Sequence, residues 1–276
     1  MRIDAHQHFW RYDSVEYPWI APQWQIRQDY LPDDLAPLLS ECRLDGCIAV
    51  QARQSLEENF WLLKLAEQDS MIVGVVGWVD LCNDQVTDQL DSLAGYSKLV
   101  GVRHVVQDEP DDEFMLRDEF QRGIQAVQDR GLTYDLLIYP KQLPAACQLV
   151  KNFPQQRFVL DHLAKPLIKD GRLSPWDQQI QQLAGRSNVY CKISGMVTEA
   201  RWHAWSPADF EPYLDLVTKA FGPERLMFGS DWPVALLAGS YRCVYELAYQ
   251  YVDRKMADAS SQIFGENARR FYLERS

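Results

Sequence analysis

The chain opens MRIDAHQHFW, where Asp4, His6 and His8 alternate in a sequence that holds only five histidines. Imidazole can ligate a metal, donate or accept a hydrogen bond, and carry a proton near neutral pH. Residues two apart on a strand project to the same side, so His6 and His8 form a pair able to grip an ion or flank a carbonyl. A single histidine in an apolar run is more often a hydrogen-bonded structural residue. The pair therefore gains meaning only from what converges on it. Polar residues of chemical type close several later apolar runs: Gln51 and Arg53, Arg103 and His104, Tyr139, Asp161 and His162, Ser194, and Ser230 with Asp231.

Those runs define the elements that must position the side chains. Short β-branched stretches alternate with longer amphipathic segments, and eight of the former stand out: IDAHQHF from Ile3, GCIAVQA from Gly46, MIVGVVGWV from Met71, LVGVRHVV from Leu99, TYDLLIY from Thr133, RFVLDHL from Arg157, NVYCKIS from Asn188 and RLMFGSDW from Arg225. Helical spacing follows them, as in Leu56, Phe60 and Leu63, in Leu116, Phe120, Ile124 and Val127 before Gly131, and in Tyr213, Leu216 and Ala220 before Gly222-Pro223. The alternation predicts an α/β fold, a (β/α)8 TIM barrel formed as one domain over residues 1–276. The closing SSQIFGENARRFYL reads as one extra helix, with Ile263, Phe264, Phe271 and Tyr272 available to pack on the barrel. In such a barrel function gathers at the C-terminal strand ends, and closure makes the first and eighth strands neighbours. Asp231 is thereby expected beside His6 and His8.

Composition narrows the partners. A formal net charge of -11 disfavours nucleic acid or an anionic membrane as the main partner and leaves a small molecule. With His6 so near the first residue and no apolar run long enough to span a bilayer, a cytoplasmic location is expected. Cys42, Cys47, Cys82, Cys147, Cys191 and Cys243 are scattered without a CxxC pair, which suits reduced core thiols. Lys192 and Asp135 lie inside otherwise apolar strands, where a charge is costly unless paired; mutual pairing is the favoured reading, and a functional role, such as a substrate contact by Lys192 near its strand end, is the other. The acidic run QDEPDDE from Gln107 reads as solvated loop.

Taken together, DAHQHFW, YPWI from Tyr17, GVRHVVQDEPD from Gly101, LDHLAKP from Leu160, CKISGMVTEA from Cys191, FGSDWP from Phe228 and IFGENARRFY near the end resemble the amidohydrolase superfamily. The resemblance runs nearly end to end. It is nearest to the branch of sugar-acid lactonases of the L-fuconolactonase and L-rhamnonolactonase type and 2-pyrone-4,6-dicarboxylate lactonase. It implies hydrolysis of the cyclic ester of a sugar acid, with the strand-eight aspartate handling protons and strand-end histidines around the carbonyl. Many superfamily members add a carboxylated lysine on strand four and a histidine on strand five; here Arg103, His104 and Tyr139 stand in those regions, which argues against a binuclear site. The lactonase branch resembles enzymes that work without added metal, so the expectation is that no cofactor is required. The alternative is a single divalent ion, zinc, on His6, His8 and Asp231, since two imidazoles, a carboxylate and water form an open catalytic site.

Chemically, the site must activate a water, stabilise an oxyanion and protonate a departing alkoxide. Asp231 is assigned as general base, and His6, His8 and His162 as oxyanion donors or holders of the ion. Arg53, Arg103, His104 and Tyr139 are candidate substrate contacts, with Trp19 and Trp232 among a rich tryptophan set suited to stacking on a sugar ring. Convergent arginines, from Arg53, Arg103 and Arg201, would instead suit a planar pyrone dicarboxylate. A lactone isomerase, a zinc-dependent decarboxylase of the same superfamily and a non-catalytic sugar-acid binder are the competing functions.

Overall fold

The computed structural model describes residues 1–274. Eight parallel strands follow one another around a nearly closed barrel in chain order: β1 (Ile3–Gln7), β2 (Gly46–Val50), β3 (Ile72–Gly77), β4 (Leu99–His104), β5 (Thr133–Leu136), β6 (Phe158–Leu160), β7 (Val189–Ile193) and β8 (Leu226–Phe228). Between and after them lie α1 (Pro32–Glu41), α2 (Leu56–Gln68), α3 (Val86–Leu93), α4 (Asp118–Asp129), α5 (Leu143–Asn152), α6 (Trp176–Ala184), α7 (Pro207–Phe221) and α8 (Tyr241–Met256). This is the expected (β/α)8 arrangement. The ring closes through the backbone just past β8, where His8 donates to the Trp232 carbonyl at 2.7 Å and Asp231 to the His6 carbonyl at 2.8 Å. Closure therefore ties the segment of His6 and His8 to the segment of Asp231.

The helices bury the faces that their periodicity sets, with local shifts in phase. Phe120, Ile124 and Val127 of α4 are buried, whereas Leu116 ends the short turn that precedes it. On α2 the buried stripe is Asn59, Leu62, Leu63 and Ala66, and Phe60 is exposed. At 3.6 residues per turn, Phe60 falls outside an arc centred on Leu62 and Leu63. Ser55 caps α2 by accepting from the Glu58 amide, and Ser206 with Asp209 forms a capping box on α7.

Inside the barrel, Ile3, Ala5, Ile48, Val50, Val76, Val100, Val159 and Met227 form an apolar layer, which Phe271 and Tyr272 of the C-terminal tail close from one end. The tail is not the single extra helix expected. Its helical path breaks at Phe264 and Gly265, where the backbone passes so close to Met1 that a Cβ on Gly265 would lie 2.1 Å from the Met1 carbonyl oxygen. Arg157 holds the end of the tail through the Phe271 carbonyl at 2.8 Å. Among the described residues all six cysteines are free, and no helix is long and apolar enough to cross a membrane.

Candidate active site

The pairing of β1 with β2 slips between Asp4 and Gln7, and this slip sorts the side chains of DAHQH. Ala5 belongs to the interior layer, yet His6 also turns inward. Asp4 faces the helices, accepting from the Tyr241 hydroxyl at 2.9 Å, and Gln7 reaches the Cys47 thiol. The two histidines still share a side, as expected, with their Nε2 atoms 3.2 Å apart.

Asp231 completes the cluster. Its Oδ1 is 3.4 Å from His8 Nε2 and 3.8 Å from the Nε2 atoms of both His6 and His162. Burial pushes the Asp231 carboxyl up, but His162, His8 and His6 outweigh it and hold the group well below the usual carboxylate range. It stands at φ +58°, a left-handed conformation that aspartate and asparagine tolerate better than most residues. His162 arrives through a stranger backbone: His162, Leu163, Ala164 and Lys165 are all left-handed, with φ of 53°, 54°, 58° and 49°. Each such residue costs roughly 1–2 kcal/mol, so the packing around this turn must enforce it. Strain of this kind concentrates at functional sites.

A backbone carbonyl fixes where the proton sits on His8. His8 Nδ1 is 2.8 Å from the Val50 carbonyl, which can only accept, so Nδ1 carries the proton and Nε2 presents a lone pair to the site. His162 Nδ1 pairs with Ser194 Oγ at 2.9 Å. Burial lowers the His162 pKa to about 4 and keeps His6 well below its ordinary value, so both imidazoles are neutral at pH 7. We therefore expect the acid limb of the pH–activity profile near pH 4. Protonation of His162 there sets an imidazolium against Asp231, the residue expected from sequence to be the general base, and would weaken it in that role. A limb centred near 6.5, where an unperturbed histidine titrates, contradicts this reading.

Gly195 has φ +59°, and a Cβ there would lie 2.4 Å from His162 Nδ1. Gly195→Ala is expected to displace the ring from Ser194 and to lower activity about a hundredfold, since a 1 Å misplacement has that scale. Near-unchanged kcat in a folded Gly195→Ala protein contradicts the placement of His162 in the site.

Below the cluster lies a fully buried ionic network. Lys192 Nζ is 2.5 Å from Asp135 Oδ2, the pairing expected from sequence, and 3.0 Å from Asp161 Oδ1. Arg103 Nη1 contacts Asp161 Oδ2 at 3.1 Å, and its Nη2 donates to the backbone oxygen and side-chain Oε1 of Gln51. Burial would raise the Asp161 carboxyl, but Lys192, His6 and Arg103 together bring it well below its ordinary value. The importance of Asp161 was not separable in sequence from that of any aspartate before a turn.

The remaining sequence candidates are dispersed. His104 follows Arg103 and so points away from the barrel interior; it stacks on Phe114 and pairs with Glu109 at 2.7 Å, which draws one residue of the acidic run out of solvent. Arg53 pairs with Glu16 in the first loop, and Arg201 is exposed. Trp232 is buried edge-on against Phe9 and Tyr30, and Trp19 is half-buried with its indole N–H on the Ala52 carbonyl. Tyr139 lines the mouth with Lys165 Nζ 5.4 Å from its ring centroid. Glu199, also at the mouth, has its carboxyl raised by burial. Neither Lys165 nor Glu199 was singled out by sequence reasoning, although both lie in the LDHLAKP and SGMVTEA segments.

Comparison with known proteins fits this geometry. The chain matches the Amidohydrolase family over residues 3–273. It is 41% identical over 284 residues to the L-fucono-1,5-lactonase of Burkholderia multivorans, covering 99% of this chain and 96% of that protein. A crystal structure of an amidohydrolase from Burkholderia multivorans with bound zinc superposes with a TM-score of 0.95 at 41% identity, covering 99% of both chains. A putative 2-pyrone-4,6-dicarboxylic acid hydrolase from Pseudomonas putida shares the fold at a TM-score of 0.78 and 20% identity, covering 98% of this chain and 96% of that one.

The zinc-bound relative overturns the expectation that no cofactor is required. The residues here agree with a metal ion. Among the described residues His6, His8 and Asp231 form one group of potential ligands, with their atoms within 4.8 Å of one another, and His6, Asp161 and His162 form another. Tetrahedral zinc with Zn–N bonds of about 2.0–2.1 Å separates its ligand nitrogens by roughly 3.3 Å, and the two Nε2 atoms stand 3.2 Å apart. The alternative set out from sequence, one ion on His6, His8 and Asp231, takes the place of the metal-free expectation; sequence could not favour it because His8's bare Nε2 is set by a backbone carbonyl on another strand. With its family matched over nearly the whole length and a relative 41% identical across 99% of the chain, the protein belongs to the amidohydrolase family.

Proposed function

We propose that this protein is a lactonase that hydrolyses the cyclic ester of a sugar acid, an aldonolactone of the L-fucono-1,5-lactone kind. The observation that carries the reading is the convergence of Asp231 Oδ1 on the Nε2 atoms of His6, His8 and His162 at the barrel mouth. The full-length relationship to an L-fucono-1,5-lactonase supports the substrate class.

His6, His8 and Asp231 hold a single divalent ion in this reading. When bound, the ion supplies Lewis-acid polarisation of the lactone carbonyl. Asp231 takes a proton from the attacking water as its oxygen bonds to the carbonyl carbon. In this reading the Ser194 hydroxyl, 2.9 Å from His162 Nδ1, is the donor of that contact, so that the His162 proton sits on Nε2 as a donor to the developing oxyanion. Collapse breaks the bond between the carbonyl carbon and the ring oxygen, and Asp231 returns its proton to that oxygen. The product acid ionises and releases one proton to solvent. In this reading Tyr139, Lys165 and Glu199 read ring hydroxyls, supported by the Lys165–Tyr139 contact and by the influence of Lys165 and Asp231 on the Glu199 carboxyl. The pyrone-dicarboxylate reading loses support, because Arg53 is tied to Glu16 and Arg103 to Asp161 and Gln51.

A pH-indicator assay over a panel of L- and D-aldonolactones, with 2-pyrone-4,6-dicarboxylate included, tests the proposal. Stoichiometric proton release is expected from six-carbon 1,5-lactones, with slower release from other rings. Turnover of the pyrone alone, or of nothing in the panel by the zinc-loaded protein, contradicts it.

A further inference from the structure

His6 sits between two sets of partners that demand opposite tautomers. Lys192 Nζ lies 3.1 Å from His6 Nδ1, and an ammonium only donates, so this contact needs a bare Nδ1 and a proton on Nε2. His8 needs the same: having given its Nδ1 proton to Val50, its Nε2 can only accept from His6 Nε2. One directed chain results, from Lys192 through His6 and His8 to the Val50 carbonyl. The second set reverses it. Arg103 Nη1 lies 3.3 Å from His6 Nε2 and only donates, while Asp161 Oδ1 lies 3.3 Å from Nδ1 and only accepts. Both require the proton on Nδ1. Asp161 Oδ1 is buried yet takes part in no hydrogen bond, although Lys192 stands 3.0 Å away.

We propose that His6 is a two-state tautomer governed by Lys192 and Asp161. In the metal-free protein the proton is on Nε2, within the Lys192 chain. A divalent ion held by the Nε2 atoms of His6 and His8 displaces that proton to Nδ1, where Asp161 Oδ1, 3.3 Å away and ion-paired to Lys192, accepts it as a hydrogen bond. One N–H bond breaks at Nε2 and one forms at Nδ1; the ring stays neutral and no proton leaves the site. The inference rests on the metal assignment to His6 and His8. Lys192 and Asp161 act here as positioning residues, since neither is asked to touch substrate. Carboxylates that accept from a ligating imidazole commonly tune metal affinity by ten- to a hundredfold. The network extends to the C-terminal tail, where the Tyr272 hydroxyl donates to Asp135 Oδ2 at 2.8 Å, the oxygen that also holds Lys192.

Imidazole nitrogen NMR on the intact, ¹⁵N-histidine-labelled protein tests this directly, first stripped by a chelator and then with one equivalent of zinc. Without metal, His6 is expected to show a protonated Nε2 and a bare Nδ1, and with zinc the reverse, while His8 keeps its proton on Nδ1 throughout. Lys192→Met is expected to place the His6 proton on Nδ1 before any zinc is added; if that variant does not fold, the wild-type spectra decide alone. A His6 protonated on the same nitrogen in both states overturns the tautomer switch. Zinc that leaves both rings unchanged overturns the metal site beneath it, so the two failures are distinct.

Discussion

Asp231→Asn is expected to keep the fold and to lower lactone hydrolysis by about three orders of magnitude, the scale of a positioned general base, if Asp231 has the role proposed for it. The substitution is unusually clean at this position. The backbone stands at φ +58°, where asparagine is among the best-tolerated residues, so no strain is added. Asparagine has nearly the same shape, and the backbone bond from residue 231 to the His6 carbonyl, which helps to close the barrel, is untouched. What disappears is the charge and the ability to take a proton. Because the same oxygen faces the three imidazoles, zinc content must be measured beside kcat. A variant that holds zinc but does not turn over isolates the base, whereas one that loses both shows that Asp231 acts through the ion. Retention of more than a tenth of wild-type kcat contradicts both roles.

How far such a site can be read from sequence depends on what sets each feature. The strands were legible because parallel barrel strands are buried on both faces and appear as nearly unbroken apolar runs. Their observed lengths are shorter than those runs, since the last residues leave the ladder to form the site. RFVLDHL illustrates this: only Phe158–Leu160 pair as β6, and Asp161 and His162 belong to the turn that follows. That turn is left-handed over four residues, none of them glycine, and nothing in LDHLAKP announces it. The neighbourhood of Asp231 and the two histidines was legible for a different reason, because closure of a barrel is a topological constraint and not a local preference.

Orientation was harder than placement. Alternation alone would put Asp4, His6 and His8 on one side, but the slip in β1 sends Asp4 toward α8 and Tyr241. A register slip is decided by the partner strand, so it leaves no trace in five residues of sequence. The cost of burying either charge alone suggested that Lys192 and Asp135 pair, yet Lys192 also meets Asp161 and His6, and this group of four joins β5, β7 and β1 to the turn after β6. The tryptophans went the other way. Trp10, Trp19, Trp202 and Trp205 give their indole N–H groups to the loop carbonyls of Gln28, Ala52, Thr198 and Ala238, which makes rim packing their main work.

Removing the metal is the second large effect expected. Treatment with a chelator, followed by its removal, lowers kcat at least about a hundredfold, and one equivalent of zinc restores it, in keeping with the several kcal/mol that a Lewis acid contributes to such a transition state. Binding to the folded state alone must also stabilise it. At zinc a hundredfold above Kd the gain is about 2.7 kcal/mol, or roughly 5–10 °C in melting temperature for a domain of this size. His8→Ala separates these effects from non-specific binding at the acidic surface. It removes the Nε2 lone pair that Val50 fixes toward the site, while leaving the surface carboxylates in place. The variant should lose both the zinc-dependent stabilisation and the activity. A stripped wild-type protein that turns over at the full rate, or a His8→Ala protein that zinc still stabilises to the same extent, would remove the ion from His6, His8 and Asp231. Asp231 and His162 would then have to act on the lactone without it, by the base and oxyanion contacts their geometry already provides.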